Sequence, residues 1–315
     1  MMNCESGSPY IDFSKDTNDL AEGSEGWKNL CKQVGEACKN FGCFQVVYNQ
    51  APVKLHEELL MGMKELFGLP DETKEKNVHS KPHRKTGYLN KIEAAPLLES
   101  LGIINAHILD EAQAFTNLMW PDGNPAICPT IHSVDKMLEE LEGVVRKMIF
   151  ENLGVGDYYD SNIKNSDNVF RVLKYKAPRS DESDIGLPPH TDKIILTVLY
   201  QDINGLEFLS KEGQWLQTQP GTFTVLAGEA LVAWSNGRIH APTHRVIMKG
   251  GKDRYSYARF GTPNDGATVE IPKELIDKDH PLQFRSFNYM DFLQYLYANP
   301  HLDNPLKMYA CIGAV

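Results

Sequence analysis

Between residues 168 and 265, apolar and polar residues alternate with a period of two, and this pattern constrains the fold more than any other feature of the chain. Short alternating stretches are typical of half-buried β-strands, and two-residue turn signals separate them. Several short strands at this spacing predict two facing antiparallel sheets, that is, a jelly roll. The turn signals are Asn204-Gly205, Glu212-Gly213, Pro220-Gly221, Asn236-Gly237 and Gly250-Gly251.

Helical spacing of apolar residues characterises the rest of the chain. It predicts helices that end at Gly42, before Pro70 and before Pro300, and a long helix over about 133–153. One strand is expected over 43–48, and a solvated loop from Asp71 to Arg84 that includes His79 and His83. We therefore expect a mainly β fold with helical cover, in a single domain over residues 1–315. Its parts are a mostly helical N-terminal part (1–155), a jelly-roll core (168–265) and a C-terminal helix and tail (285–315).

Composition limits the classes of partner. The net charge of −10 and the lack of a basic patch argue against nucleic-acid binding. No apolar run approaches the roughly 18 residues needed to span a membrane, and residues 1–12 resemble neither a signal nor a transit peptide. The six cysteines contain no C-x-x-C pair, so we expect reduced thiols in the cytoplasm. Without a coiled-coil or repeat pattern, the default expectation is a monomer.

His190 and Asp192 form an H-x-D pair at the edge of the apolar stretch 194–200. Residues two apart on a strand share a face, so both side chains can reach one cation. His240 and His244 compete as a third ligand, and His244 is preferred because it begins another apolar strand. Two imidazoles and one carboxylate leave adjacent octahedral positions open, which is typical of non-haem Fe(II) oxygenases. The metal ligands, which are also the catalytic candidates, are therefore His190, Asp192 and His244.

Arg254 lies ten residues after His244, and Ser256, two residues farther on, shares one face of a further predicted strand with it. A guanidinium fork beside a hydroxyl, inside a barrel, favours an acidic ligand. An exposed strand with an ordinary salt bridge is the competing interpretation. Taken with the metal ligands, the order of the motifs has one chemical explanation: the metal holds one end of a dicarboxylate and Arg254 holds the other.

In order and spacing, these motifs resemble the plant 2-oxoglutarate- and Fe(II)-dependent dioxygenases. The similarity covers nearly the whole chain, and Asn117-Leu118-Met119-Trp120-Pro121 is similar to the branch that modifies glucosinolate side chains and to its auxin-oxidising relatives. The motifs are Pro9-Tyr10-Ile11-Asp12, Gly42-Cys43-Phe44, His190-Thr191-Asp192, Gly205-Leu206-Glu207, Trp234-Ser235-Asn236-Gly237, His244-Arg245-Val246 and Arg254-Tyr255-Ser256.

The resemblance implies a distorted double-stranded β-helix and oxidation of a small-molecule substrate by O2, with 2-oxoglutarate as cosubstrate and ascorbate as reductant. Hydroxylation, desaturation, dealkylation and ring closure are all within this chemistry. By position, Arg254 and Ser256 would hold the distal carboxylate of 2-oxoglutarate, and Tyr175 would contact it. Three features depart from the family. Tyr48-Asn49-Gln50 replaces the usual Asn-His-Gly after the first strand. Leu173 stands where relatives often carry Asn, and Glu229 stands where they usually carry Asp.

Three alternatives remain open at this point. An iron oxidase that uses ascorbate without 2-oxoglutarate also keeps the Arg-x-Ser motif. A zinc hydrolase could use the same three ligands, although it would leave Arg-x-Ser unexplained. A non-catalytic jelly-roll binding module has no need of metal-binding side chains.

Overall fold

The computed structural model describes residues 3–5, 7–14, 20–48, 50, 52–78 and 86–313, with no side chains described for residues 3–5. The two histidines of the expected loop, His79 and His83, lie outside the described residues. None of the helices within the described ranges is long and apolar enough to cross a membrane.

The strands carry the site and the helices cover them. The strands are β1 (Asn3–Glu5), β2 (Ser8–Asp12), β3 (Cys43–Val47), β4 (Leu98–Ile104), β5 (Ser166–Tyr175), β6 (Ile185–His190), β7 (Leu196–Gln201), β8 (Leu206–Leu209), β9 (Trp215–Gln217), β10 (Phe223–Ala227), β11 (His244–Ile247), β12 (Arg254–Pro263), β13 (Thr268–Val269) and β14 (Phe287–Asn288). The helices are α1 (Glu25–Asn40), α2 (Val53–Gly68), α3 (Asp71–Lys74), α4 (Leu109–Met119), α5 (Ile127–Asn152), α6 (Tyr159–Lys164), α7 (Glu229–Trp234), α8 (Tyr289–Ala298) and α9 (Pro305–Ala310).

Two sheets form the barrel. The larger has the order β1-β2-β3-β10-β7-β12-β5-β4, and the smaller has the order β6-β11-β8-β9. All of their pairings are antiparallel except β2 with β3. The alternation of apolar and polar residues predicted from the sequence fits these strands, because successive side chains of a strand point to opposite faces of a sheet.

The two faces of the larger sheet have different neighbours. Its outer face packs against α1, α2, α4 and α5 in one large apolar cluster that includes Phe170 and Val198. Its inner face, with Leu173 and Tyr175 of β5, joins Phe208 of β8 in a second cluster between the sheets. The barrel interior therefore has an apolar cluster of its own, separate from the helical core, which limits water around it.

The N-terminal part differs from expectation. Besides β3 it contributes β1, β2 and β4 to the larger sheet, where one strand was expected. Strand β4 was missed because six of its seven residues are buried, so it does not alternate between apolar and polar residues. Helix α5 begins at Ile127, earlier than the expected 133. Pro129 is tolerated there because the first N–H groups of a helix need no helical partner.

The expected loop from Asp71 to Arg84 is wrong at its start. Residues Asp71–Lys74 form α3, and Lys74 is 3% exposed. Its ammonium group forms an ion pair with the buried Glu99 of β4 and lies 3.2 Å from a carboxylate oxygen of Asp71. Burial of this lysine is possible because a carboxylate compensates its charge.

Candidate metal and cosubstrate site

Pairing of β6 with β11 brings two predicted metal ligands together. His190 is the last residue of β6, His244 is the first of β11, and the two are register partners. Asp192 follows β6 by two residues. Its carboxylate Oδ1 lies 3.8 Å from Nε2 of His190 and 3.7 Å from Nε2 of His244. Ligand atoms of the three residues lie within 4.8 Å of one another, close enough to share one cation.

Hydrogen bonds orient both imidazoles toward that point. The Nδ1 of His190 lies 2.9 Å from the carbonyl oxygen of Pro188, and the Nδ1 of His244 lies 3.2 Å from that of Pro242. A carbonyl can only accept, so each Nδ1 carries the proton and each Nε2 offers its lone pair to a metal. The two rings are 4.2 Å apart between centroids.

The electrostatics suit a cation. Desolvation, followed by the neighbouring His244, lowers the pKa of His190 to about 4, so this imidazole is neutral at pH 7. Burial by itself would raise the pKa of Asp192, but His244 and His190 outweigh it and the pKa is lowered. One carboxylate and two imidazoles form the donor set of a facial triad. The side chain of His190 is 35% exposed, which leaves one side of the cluster open.

The backbone and side chain of Asp192 are held by groups around it. Thr197 of β7 donates a hydrogen bond to its Oδ2, and the N–H of Glu229 donates to its backbone carbonyl at 2.8 Å. Glu229 begins α7, and its Oε1 accepts from the hydroxyl of Thr191 and from the ammonium of Lys193, both at 2.6 Å. Thr191 and Lys193, on either side of Asp192, are thus both bonded to the carboxylate of Glu229.

Replacing Glu229 by glutamine is therefore expected to loosen the metal site without touching a ligand. The amide keeps the volume but loses the charge that pairs with Lys193, and we expect Fe(II) to bind about 10-fold more weakly. Anaerobic Fe(II) titration monitored by calorimetry measures this. Glu229→Asp, which has the residue usual in the family, is the matched control and should bind more tightly than Glu229→Gln. Equal affinity of wild type and Glu229→Gln would contradict this role.

A second polar group lies farther along the inner face of the larger sheet. Arg254 is fully buried, and its guanidinium donates to the hydroxyl of Ser256 at 3.1 Å and to the side-chain oxygen of Gln201 at 2.8 Å. The amide nitrogen of Gln201 donates to the carbonyl and hydroxyl of Thr218, so its oxygen faces the arginine. The ring of Tyr175, the register partner of Arg254, lies 5.1 Å from the guanidinium carbon.

This arrangement fits an anionic ligand. Burial lowers the pKa of Arg254, although Tyr175 and Asp202 counteract the shift, and arginine stays charged at neutral pH. Among the described residues, its buried Nε has no hydrogen-bond partner. A Cβ at Gly205 would lie 2.9 Å from Nε and Cδ of Arg254, so glycine leaves room for the arginine there. A buried cation with an unused donor is suited to a carboxylate.

The structure brings the residues of both motifs into the barrel interior. The three metal-ligand candidates form one cluster, and Arg254, Ser256 and Tyr175 form a second, which Leu173 joins as the register partner of Ser256. His240 lies apart from the metal cluster, with its backbone N–H bonded to the carbonyl of Cys38.

Three residues around the site were not predicted: Thr197, Gln201 and Lys193. A signal existed for the first two, because both are polar and lie at inward positions of the apolar strand β7. No local pattern marks Lys193, whose partner Glu229 lies 36 residues away in the chain.

Comparison with known proteins agrees with this geometry. The profile of the 2OG-Fe(II) oxygenase superfamily matches residues 166–263, and that of the N-terminal region of non-haem dioxygenases in morphine synthesis matches residues 9–123. The probable 2-oxoglutarate-dependent dioxygenase AOP1.2 of Arabidopsis thaliana is 41% identical over 296 residues, which is 91% of this chain and 90% of the relative.

Solved structures agree as well. The crystal structure of the rice dioxygenase for auxin oxidation superposes with a TM-score of 0.81 at 29% identity, over 96% of this chain and 99% of that chain. The Arabidopsis thaliana dioxygenase for auxin oxidation 1, in its binary complex with 2-oxoglutarate, has a TM-score of 0.77 at 27% identity, over 87% of this chain and 99% of that chain.

The chain belongs to the 2-oxoglutarate- and Fe(II)-dependent dioxygenases. Within them it is similar to the plant branch that its motifs predicted, and it is an oxidoreductase. The predicted family, jelly-roll fold and enzyme class are confirmed. These matches favour 2-oxoglutarate with Fe(II) over the ascorbate-only oxidase and over a non-catalytic module.

Proposed function

We propose that His190, Asp192 and His244 hold Fe(II), and that Arg254 and Ser256 hold the distal carboxylate of 2-oxoglutarate. The observation that carries this proposal is the convergence of the three ligand atoms within 4.8 Å, on the same barrel interior as a fully buried arginine. Tyr175 contributes through its ring, which lies against Arg254, and its hydroxyl adds a further contact to the carboxylate.

When bound, iron and 2-oxoglutarate use O2 to oxidise a C–H bond of the substrate, while 2-oxoglutarate becomes succinate and CO2. The protein supplies position and surroundings. Asp192 balances part of the metal charge, the carbonyls of Pro188 and Pro242 fix the imidazoles, and Arg254 sets the direction in which the cosubstrate lies. The apolar cluster between the sheets keeps water away from this region.

Placement of the substrate would decide the outcome, because the C–H bond held nearest the metal site would be the one oxidised. Hydroxylation, desaturation, dealkylation and ring closure are all open to this site. We propose a substrate of the size of auxin, since dioxygenases for auxin oxidation superpose on this chain over most of its length.

A succinate assay tests the proposed function. Purified protein with Fe(II), ascorbate and 2-oxoglutarate is incubated with a panel of small metabolites that includes indole-3-acetate. We expect succinate and oxidised product in equal amounts for at least one compound, and neither when 2-oxoglutarate is omitted. Oxidised product formed with ascorbate but without 2-oxoglutarate would overturn the proposal in favour of the ascorbate-only oxidase.

The remaining parts of the proposal concern the working state of the enzyme. Ascorbate would keep the iron reduced, and the chain would act as a monomer in the cytoplasm. Cys31, Cys38, Cys43 and Cys128 are buried free thiols, as is usual in a reducing compartment.

We also propose that residues 1–315 act as a single domain, because β1 to β4 of the N-terminal part extend the same sheet as β5 and β12.

A further inference from the structure

Gln201 is a fully buried polar residue at the end of β7, and its contacts extend beyond Arg254. Its side-chain oxygen accepts from the guanidinium of Arg254 at 2.8 Å and from the N–H of Leu206 at 3.3 Å. Its amide nitrogen donates to the carbonyl of Thr218 at 3.1 Å and to the hydroxyl of the same residue at 2.9 Å. Because the carbonyl can only accept, the oxygen of Gln201 must face Arg254, and the side chain has one orientation.

Thr218 ties Gln201 to the smaller sheet. It directly follows β9 and is fully buried. Its N–H and its hydroxyl both donate to the carbonyl of Leu206, at 3.1 Å and 3.3 Å. Leu206 begins β8 and is the register partner of Val246 in β11. The hydrogen bonds of Gln201 therefore join β7 of the larger sheet to the smaller sheet, and Arg254 is held at that junction.

The residue after Gln201 holds the backbone beside Arg254. The carboxylate of Asp202 accepts from the N–H of Tyr255 at 2.9 Å, and the N–H of Asp202 donates to the carbonyl of Tyr255 at 3.1 Å. The end of β7 thus fixes both the side chain of Arg254, through Gln201, and the adjoining backbone, through Asp202.

The other end of β7 holds the metal site. Thr197 donates a hydrogen bond to the carboxylate of Asp192. Thr197, Leu199 and Gln201 lie on one face of the strand, and four residues of an antiparallel strand span about 13 Å. Both neighbours of β7, β10 and β12, pair with it in register. The separation between the metal ligands and Arg254 is therefore set within a single strand that is fixed on both sides.

We infer that Gln201 is a positioning residue: it fixes the guanidinium of Arg254 at a set distance from the metal, and the enzyme thereby selects a 2-oxo diacid of one length. This inference rests on the proposed function. A diacid that binds the metal at one end and Arg254 at the other must match that distance. An arginine free to shift would follow a longer ligand, whereas an arginine held by Gln201 does not. One extra methylene commonly changes selectivity about 10- to 200-fold.

The test compares 2-oxoglutarate with 2-oxoadipate, which is one methylene longer. Each acid is titrated by calorimetry into anaerobic protein loaded with Fe(II). We expect wild type to bind 2-oxoglutarate about 10- to 200-fold more tightly than 2-oxoadipate. Gln201→Met keeps the approximate size of the side chain and removes its polar atoms. It should weaken binding of 2-oxoglutarate more than that of 2-oxoadipate, and bring the ratio within about three-fold of one.

Two further variants separate positioning from folding. Thr218→Val removes one of the two bonds that orient Gln201 and touches neither Arg254 nor the metal ligands, so its ratio should lie between those of wild type and Gln201→Met. Gln45→Met is the matched control, because Gln45 is a buried glutamine on β3, two strands from β7, and donates to the carbonyl of Gln219 at 3.0 Å. It should keep the wild-type ratio. Thermal melting shows whether each variant is folded, and Thr218→Val decides if Gln201→Met is not.

Each other outcome overturns the inference in a recognisable way. Equal binding of both acids by wild type would show that length is not selected. Equal weakening of both acids in folded Gln201→Met, with the ratio kept, would assign Gln201 a purely structural role. The same loss of selectivity in Gln45→Met would show that the effect is not specific to the contact with Arg254. If wild type binds Fe(II) but neither acid, the proposed function itself fails.

Discussion

The His244→Ala variant is expected to bind Fe(II) at least about 100-fold more weakly than the wild type and to release no measurable succinate. Removal of a metal ligand should weaken Fe(II) binding by more than the 10- to 100-fold that is typical when a residue that only supports a ligand is lost. The two remaining candidates, His190 and Asp192, cannot form a facial set by themselves. Calorimetric titration with Fe(II) and the succinate assay together measure the effect.

His240→Ala is the matched control for this prediction. His240 is four residues from His244 and is also a histidine, but it lies outside the metal cluster. The control should keep the wild-type iron affinity and succinate yield. If His240→Ala loses iron while His244→Ala keeps it, the assignment of the third ligand is wrong. Thermal melting of both variants shows whether either loss arises from unfolding.

The second large effect is expected for Arg254→Ala, which should weaken 2-oxoglutarate binding by about 30-fold to several thousand-fold while leaving Fe(II) affinity nearly unchanged. The reason is that the variant leaves a buried carboxylate without its cation, and losing one partner of such a pair costs about 2–5 kcal/mol. Calorimetric titration of 2-oxoglutarate into the Fe(II)-loaded protein measures the change.

Arg254→Lys separates charge from geometry. Lysine keeps the positive charge but not the planar fork that contacts Ser256 and Gln201, so its affinity for 2-oxoglutarate should lie between those of wild type and Arg254→Ala. Ser256→Ala removes one neutral hydroxyl and should have a smaller effect than Arg254→Ala. Unchanged 2-oxoglutarate affinity in the correctly folded Arg254→Ala variant would contradict the assigned anchor.

Part of this account could be predicted from the sequence because strand alternation is local. The period of two places Arg254 and Ser256 on one face of β12, and the turn signals separate the strands. It does not apply to His190 and Asp192, because Asp192 lies beyond the end of β6. The ends of α1 and α2 could be predicted for the same reason. Gly42 has a positive φ of 67° at the end of α1, and Pro70 follows α2 closely.

Other features depend on contacts between distant parts of the chain. Strand β4 pairs with β5, about seventy residues later, and no local pattern shows that pairing. The hydrogen bond from Lys193 to Glu229 joins residues 36 positions apart and depends on the packing of α7 beside Asp192. The position of Gln201 opposite Ser256 is likewise a matter of register. Local propensity does not encode such pairings, since tertiary packing decides them.

The central claim is that one site holds Fe(II) and 2-oxoglutarate together, and the chelate that they form has a weak visible charge-transfer absorption. The most direct measurement is an anaerobic titration of the Fe(II)-loaded protein with 2-oxoglutarate, monitored in the visible region. The account predicts a band that saturates at one 2-oxoglutarate per chain, is absent in His244→Ala and needs much more 2-oxoglutarate in Arg254→Ala. A wild-type protein with iron bound but no band at saturating 2-oxoglutarate would contradict it.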